Sequence, residues 1–229
     1  MLATCFDGQG SIDYGSQERL IEFCIEAGTH GLVALANASE GHLLSEEEKQ
    51  QLQQFVVQRV AGRVPVIVTV NHPSPIVAAR ASRFAEETGA SAIMSLPLFS
   101  GRWRAGLDEI SAYYDQLDQA VSIPLVLQDH VLSDIQLTTD YLVGLSQACE
   151  HLTHIKLESG NIIHKARNLS TKYAISPRLG FIARGGLWWQ QWNLPARRDR
   201  SRMLRHHASL LHARCLPADM GPDRSQPVR

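Results

Sequence analysis

The sequence predicts an α/β chain, an incomplete (β/α)8 TIM barrel with six clear βα units. Three observations predict it. Six short apolar runs of strand length recur between residues 2 and 157. The segments between them carry apolar residues three and four positions apart, the period of a helix packed on one face. Neither GxGxxG nor a P-loop follows the first run, as a doubly wound nucleotide-binding sheet would require. Strands alternating with helices form a parallel sheet, and the missing phosphate loop favours the barrel over the open sheet.

The strands, in order, are Leu2–Phe6, Gly31–Ala36, Val64–Val70, Ser91–Leu96, Ile123–Gln128 and Leu152–Leu157. Tyr14–Ala27 places Leu20, Ile21, Cys24 and Ala27 on one helical face. Ser45–Ala61 opens with Ser45-Glu46-Glu47-Glu48, a capping box with acid in the first turn, where the helix dipole favours negative charge. Pro75–Thr88, Leu107–Ala120 and Thr138–Ala148 repeat the helical spacing, and another helix follows the sixth strand. Gly28, Gly62 and Gly89 stand just past helix ends, where a left-handed cap is expected.

Composition narrows the class. With 229 residues and a net charge of −1, the chain can bury a full core and has no overall attraction to polyanions. Four cysteines without a CxxC pair suit reduced thiols. No apolar run approaches the roughly 18 residues of a membrane span, and no basic-then-apolar export signal opens the sequence. A cytoplasmic protein with no membrane or nucleic-acid partner is expected. The charge is unevenly divided, however. Residues 184–229 carry nine Arg, three Asp and neither Lys nor Glu, a net of +6 against −7 for residues 1–183. Two domains of composition result: 1–183, a partial barrel, and 184–229, a basic tail.

Barrel chemistry collects at the C-terminal ends of the strands. Those ends hold Asn37, Ser39, Glu40 and His42; Asn71 and His72; Leu98 and Phe99; Gln128, Asp129 and His130; and Lys156 and Glu158. Lys156 is one of four lysines and closes the apolar run Leu152–Leu157. An amine held among apolar neighbours loses hydration, which favours its neutral, nucleophilic form. A lysine at a strand end reaching to solvent is the ordinary alternative.

These residues also carry a resemblance. Leu2-Ala3-Thr4-Cys5-Phe6-Asp7, Gly28-Thr29-His30-Gly31-Leu32, Leu44-Ser45-Glu46-Glu47-Glu48, Ala61-Gly62-Arg63-Val64-Pro65-Val66-Ile67 and Ile155-Lys156-Leu157-Glu158 occur in the order and spacing of one family. From Leu2 to about Ile182 the chain resembles the dihydrodipicolinate synthase / N-acetylneuraminate lyase family, class I aldolases on a TIM barrel. The resemblance implies an imine between Lys156 and C2 of pyruvate or a sugar-derived 2-keto acid, no cofactor and no metal, and a homotetramer. It implies a substrate-binding set of Asn37, Ala38, Ser39 and Gln128. Ala36-Asn37-Ala38-Ser39-Glu40 stands where the family has G-T-T-G-E, which holds the keto-acid carboxylate. Gln128 replaces the proton-relaying tyrosine, and an amide transfers no proton near neutral pH. Leu98 and Phe99 replace further tyrosines, and the arginine expected after the fifth strand is missing from Asp129-His130-Val131-Leu132-Ser133. A divergent aldolase or dehydratase fits better than dihydrodipicolinate synthesis.

The tail predicts a frameshift near residue 183. Trp188-Trp189-Gln190-Gln191-Trp192 has the codons TGG TGG CAR CAR TGG, which shifted by one nucleotide encode Gly-Gly-(Asn/Ser)-(Asn/Ser)-Gly, similar to a turn that relatives carry. Met203-Leu204-Arg205-His206-His207 can likewise read as Cys-Cys-Gly-Thr-Met. Strands 7 and 8 are then missing or scrambled, and Met1 falls inside the first strand, as in a clipped N-terminus. An unclosed barrel leaves sheet edges unpaired and works against the site, so the lyase reading attaches to the family and leaves this polypeptide's own activity open, down to a pseudoenzyme. The alternatives are a metal-dependent lyase using Glu40, His42, His72, Asp129 and His130, or a binding tail. The tail would use Arg197, Arg198, Arg200, Arg202 and Arg205 on phosphates, or His206, His207, His212 and Cys215 on a metal.

Overall fold

The computed structural model describes residues 1–97, 99–100, 103–133, 135–173, 180–183 and 188–189. The elements run α1 (Tyr14–Glu26), β1 (Leu32–Ala34), α2 (Glu46–Val60), β2 (Val66–Thr69), α3 (Pro75–Glu87), β3 (Ala92–Ser95), β4 (Phe99–Ser100), β5 (Trp103–Arg104), α4 (Leu107–Asp118), β6 (Leu125–His130), α5 (Thr139–Ala148), β7 (Leu152–Glu158), α6 (Ile162–Tyr173), β8 (Gly180–Ala183) and β9 (Trp188–Trp189). The main sheet has the order β1-β2-β3-β6-β7-β8-β9, and its pairs are parallel from β1 to β8. β4 and β5 form a separate antiparallel hairpin. This is the predicted α/β architecture, part of a barrel.

Local chemistry explains the helix ends. Ser45 accepts the Glu48 N–H through its hydroxyl, and the Glu48 carboxylate accepts the Ser45 N–H, so the predicted capping box starts α2. Pro75 opens α3, where a missing N–H costs nothing. Gly89 follows α3 at φ +93°, a conformation that a side chain would strain.

Two predictions need correction. Leu2–Phe6 does not form a strand. Its Leu2 N–H reaches Val33 O at 2.9 Å, but side chains then satisfy its backbone instead of a neighbouring strand. Ser39 Oγ donates to Leu2 O, Gln17 Nε2 donates to Ala3 O, and Gln17 Oε1 accepts the Cys5 N–H. Phe6 makes only an isolated bridge with Ile12. Conversely, Gly180–Ala183, absent from the predicted strands, lies parallel to β7 through His154↔Gly180 to Leu157↔Ala183. β9 pairs antiparallel with β8, so it is not a parallel barrel strand. The rest of the predicted tail lies outside the described residues, as does Leu98.

Strand alternation divides the apolar residues into two groups. Ile21, Val56, Tyr114, Leu125, Leu127, Ile155 and Leu157 belong to the core between sheet and helices. Ala36, Ile67, Ala92, Met94 and Val126, with Val33 packed against them, form a smaller cluster on the opposite, inner face. Because Leu125, Leu127, Ile155 and Leu157 face the helices, Gln128, His154, Lys156 and Glu158 fall on the inner face.

Candidate active site

Lys156 stands at the C-terminal end of β7, directly across from Gln128 in the β6–β7 register. Its side chain is 13% exposed. Lys156 Nζ donates to Glu158 Oε2 at 2.6 Å, and Gln128 Nε2 donates to the same oxygen at 2.7 Å. Two inner-face side chains therefore converge on one carboxylate oxygen of a third. The flanking Ile155 and Leu157 point away toward the helices, so the amine's neighbours are the Glu158 carboxylate and, at 3.4 Å, Met1 Sδ. Gln128 is buried, and its Oε1 has no protein hydrogen-bond partner.

Burial alone would push the Glu158 carboxyl up, but hydrogen bonds from Lys156 and Gln128 outweigh it, aided by the Lys156 and His130 charges. The net effect holds Glu158 below the ordinary glutamate value. Burial pushes the imidazole of His154, two residues before Lys156 on the same face, down from the usual histidine value. Such a site offers an amine, an ionised carboxylate in contact with it, and an amide that fixes the carboxylate.

The other predicted site residues lie elsewhere. Asn37, Ala38 and Ser39 form a 3-10 turn after β1, four strands from β7 in the sheet order. Ser39 Oγ donates to Leu2 O at 2.5 Å and accepts the Ala36 N–H, so this hydroxyl ties the N-terminal segment to the turn. Ala38 is exposed. Asn37 Nδ2 and Thr69 Oγ1 are buried without protein partners. Asn37 and Thr69 line a cavity of about 280 Å³ together with Lys49, Asn71, His72 and Arg80. Another depression, of about 420 Å³ between α4 and α5, is lined by Ser111, Tyr141 and Cys149 and holds none of the predicted residues.

Glu158 is the residue that sequence reasoning underused. It was visible at the strand end, and the i, i+2 alternation of a strand already places it beside Lys156. The metal alternative gains no support: no group of three His, Cys, Asp or Glu among the described residues is placed to hold an ion. Asp129 faces away from the inner face, bound to Ser159 and Lys165.

A parallel α/β sheet carrying a lysine at the C-terminal end of an inner strand defines a lysine-bearing barrel protein. Residues 1–183 match the model of the dihydrodipicolinate synthetase family, and the chain belongs to that family. It is 34% identical over 189 residues to L-2-keto-3-deoxyarabonate dehydratase of Azospirillum brasilense, covering 82% of this chain and 59% of the relative. To 4-hydroxy-tetrahydrodipicolinate synthase of Parvibaculum lavamentivorans it is 30% identical, covering 78% of this chain and 63% of the relative. In structure it resembles YagE of E. coli K12, a family protein solved in complex with pyruvate, with a TM-score of 0.73. That match has 22% identity and covers 80% of this chain and 61% of YagE, a likeness of fold. The chain thus spans about three-fifths of the length of these relatives.

Proposed function

We propose that this chain carries the Schiff-base site of a lyase acting on pyruvate or a sugar-derived 2-keto acid, with dehydration the favoured reaction. The contact of Lys156 with Glu158 carries the reading. An imine-forming lysine must lose a proton before it attacks, and Glu158 lies 2.6 Å from Nζ to take it. After Nζ bonds to C2, the Glu158 carboxyl returns that proton to the carbinolamine hydroxyl, which leaves as water, and the resulting iminium acts as an electron sink. Glu158 then removes a proton from C3 to give the enamine. In a 4-hydroxy substrate the enamine expels the C4 hydroxyl, and the Glu158 carboxyl returns the proton as water departs.

Gln128 cannot relay protons, but it holds the carboxylate that can, which explains how a site without the family's tyrosine stays useful. The dehydratase name of the Azospirillum brasilense relative supports the same choice. Asn37, Ala38 and Ser39 would face the substrate carboxylate across a closed barrel, Asn37 through its unpartnered amide. A homotetramer and a cytoplasmic location complete the reading; no helix among the described residues is long and apolar enough to cross a membrane. We retain the division at residue 183, with 184–229 as the product of a frameshift.

The test is reduction with borohydride in the presence of pyruvate or a longer 2-keto acid. It should add the reduced acid to Lys156, and Lys156→Ala and Lys156→Arg should both abolish the adduct, since a guanidinium forms no imine.

A further inference from the structure

On the helix side of the sheet, directly behind Gln128 and Glu158, lies a second polar cluster that the proposed chemistry leaves unused. Asp129 is fully buried. Its Oδ2 accepts Ser159 Oγ at 2.5 Å and Lys165 Nζ at 2.7 Å, and Lys165 Nζ also donates to Ser159 Oγ at 2.8 Å. Lys165 comes from the first turn of α6 and is 14% exposed. Desolvating both charges costs several kcal/mol each, and apolar residues of similar volume often do as well for stability. Stability alone is therefore a weak reason for this arrangement, and its directional bonds fix the relative position of the segments that they join.

Chain alternation says what is fixed. Asp129 follows Gln128, and Ser159 follows Glu158, so the same two segments are tied twice. The front tie is Gln128 to Glu158 at 2.7 Å, and the back tie is Asp129 to Ser159 at 2.5 Å. Lys165 adds α6 to the back tie. Beyond Glu158 the chain leaves the sheet into a turn whose Asn161 takes a left-handed φ of +58°, so strand pairing no longer restrains it there.

We propose that Asp129, Ser159 and Lys165 form a positioning clamp that holds the Glu158 carboxylate against the Lys156 amine. The clamp rests on the reading of Lys156 and Glu158 as the reacting pair, but it can be measured without turnover. Competitive acylation of the 229-residue chain, read by peptide mass, reports how far each lysine amine is engaged. In Ser159→Ala, labelling of Lys156 should rise severalfold as Glu158 is released, while Lys49, paired with Glu46 on α2, stays constant as the folding control. Ser159→Thr, which keeps the hydroxyl, should return Lys156 to the parent value. If Ala loosens the whole chain, seen as a parallel rise at Lys49, Ser159→Cys carries the comparison and should raise Lys156 labelling at least about twofold. Labelling within about twofold of the parent in the folded Ala variant, or in the Cys variant where Ala unfolds, overturns the clamp, as does a Thr variant that behaves like Ala. A normal labelling response with no borohydride-trapped adduct in a version carrying the completed barrel would instead count against the lyase reading and leave the clamp standing.

Discussion

At the scale of single residues the site turns on Glu158. Its hydrogen bonds hold the carboxyl below the ordinary glutamate value despite burial, so it is ionised near neutral pH. The sign of the linkage follows. A depressed carboxyl contributes stability that is present above the unfolded value of 4.5 and is lost as pH falls through the lower folded value. Glu158→Gln should remove that pH dependence, measured as the difference in melting temperature between variant and parent across acidic pH. An unchanged difference would show that Glu158 is not held as described. In turnover the same variant should lower kcat by about 10² or more, the usual contribution of a positioned acid–base group. Lys156 was legible because a lysine closing an apolar run is unusual. Its pairing was less so, because the apolar flanks suggested an apolar site, whereas alternation sends Ile155 and Leu157 to the opposite face.

At the scale of elements, most of the pattern could be read from periodicity. Helices appear within a few residues of their predicted bounds, and the Ser45 capping box has its expected form. What could not be read were bonds that depend on distant side chains. Gln17, fully buried within α1, satisfies the backbone of Ala3 and Cys5, so the first apolar run does not form a strand. Gly180–Ala183 pairs with β7 although its run is too short to stand out. Two substitutions test these contacts. Lys165→Met should leave the Asp129 carboxylate buried and unpaired, costing about 3–5 kcal/mol in denaturant unfolding. The double variant Asp129→Leu/Lys165→Met should recover most of that loss, and failure to recover would assign the cost to packing of the lysine stem. Gly41→Ala would place a Cβ 2.4 Å from Leu35 O, a backbone atom that cannot step aside. It should cost roughly 1–3 kcal/mol and disturb the adjoining turn of Asn37, Ala38 and Ser39, measurable by chemical denaturation. Stability within experimental error of the parent would contradict this tight approach.

At the scale of the whole molecule the question is how the barrel continues. The pairs from β1 to β8 are parallel and present one inner face, and the chain spans about three-fifths of its relatives. The change of composition at residue 184 was legible from charge and from the single codon of tryptophan, because those depend only on the sequence. The fate of Trp188 and Trp189 was not, since pairing with β8 depends on how the chain folds back. The frameshift proposal predicts that the nucleotide sequence around codons 175–195, read in the shifted frame, stays open and encodes further alternating strand and helix patterns. A stop codon within the first few shifted codons would remove it.

Peptide mapping after borohydride reduction with pyruvate or a longer 2-keto acid tests the central claim most directly. It should be run on the 229-residue chain and on a version carrying the in-frame continuation. In the continued version the reduced acid should be found on Lys156 and be lost in Lys156→Ala. An adduct on Lys165 or Lys172 with Lys156 unmodified, or no adduct at all in the continued version, would contradict the account.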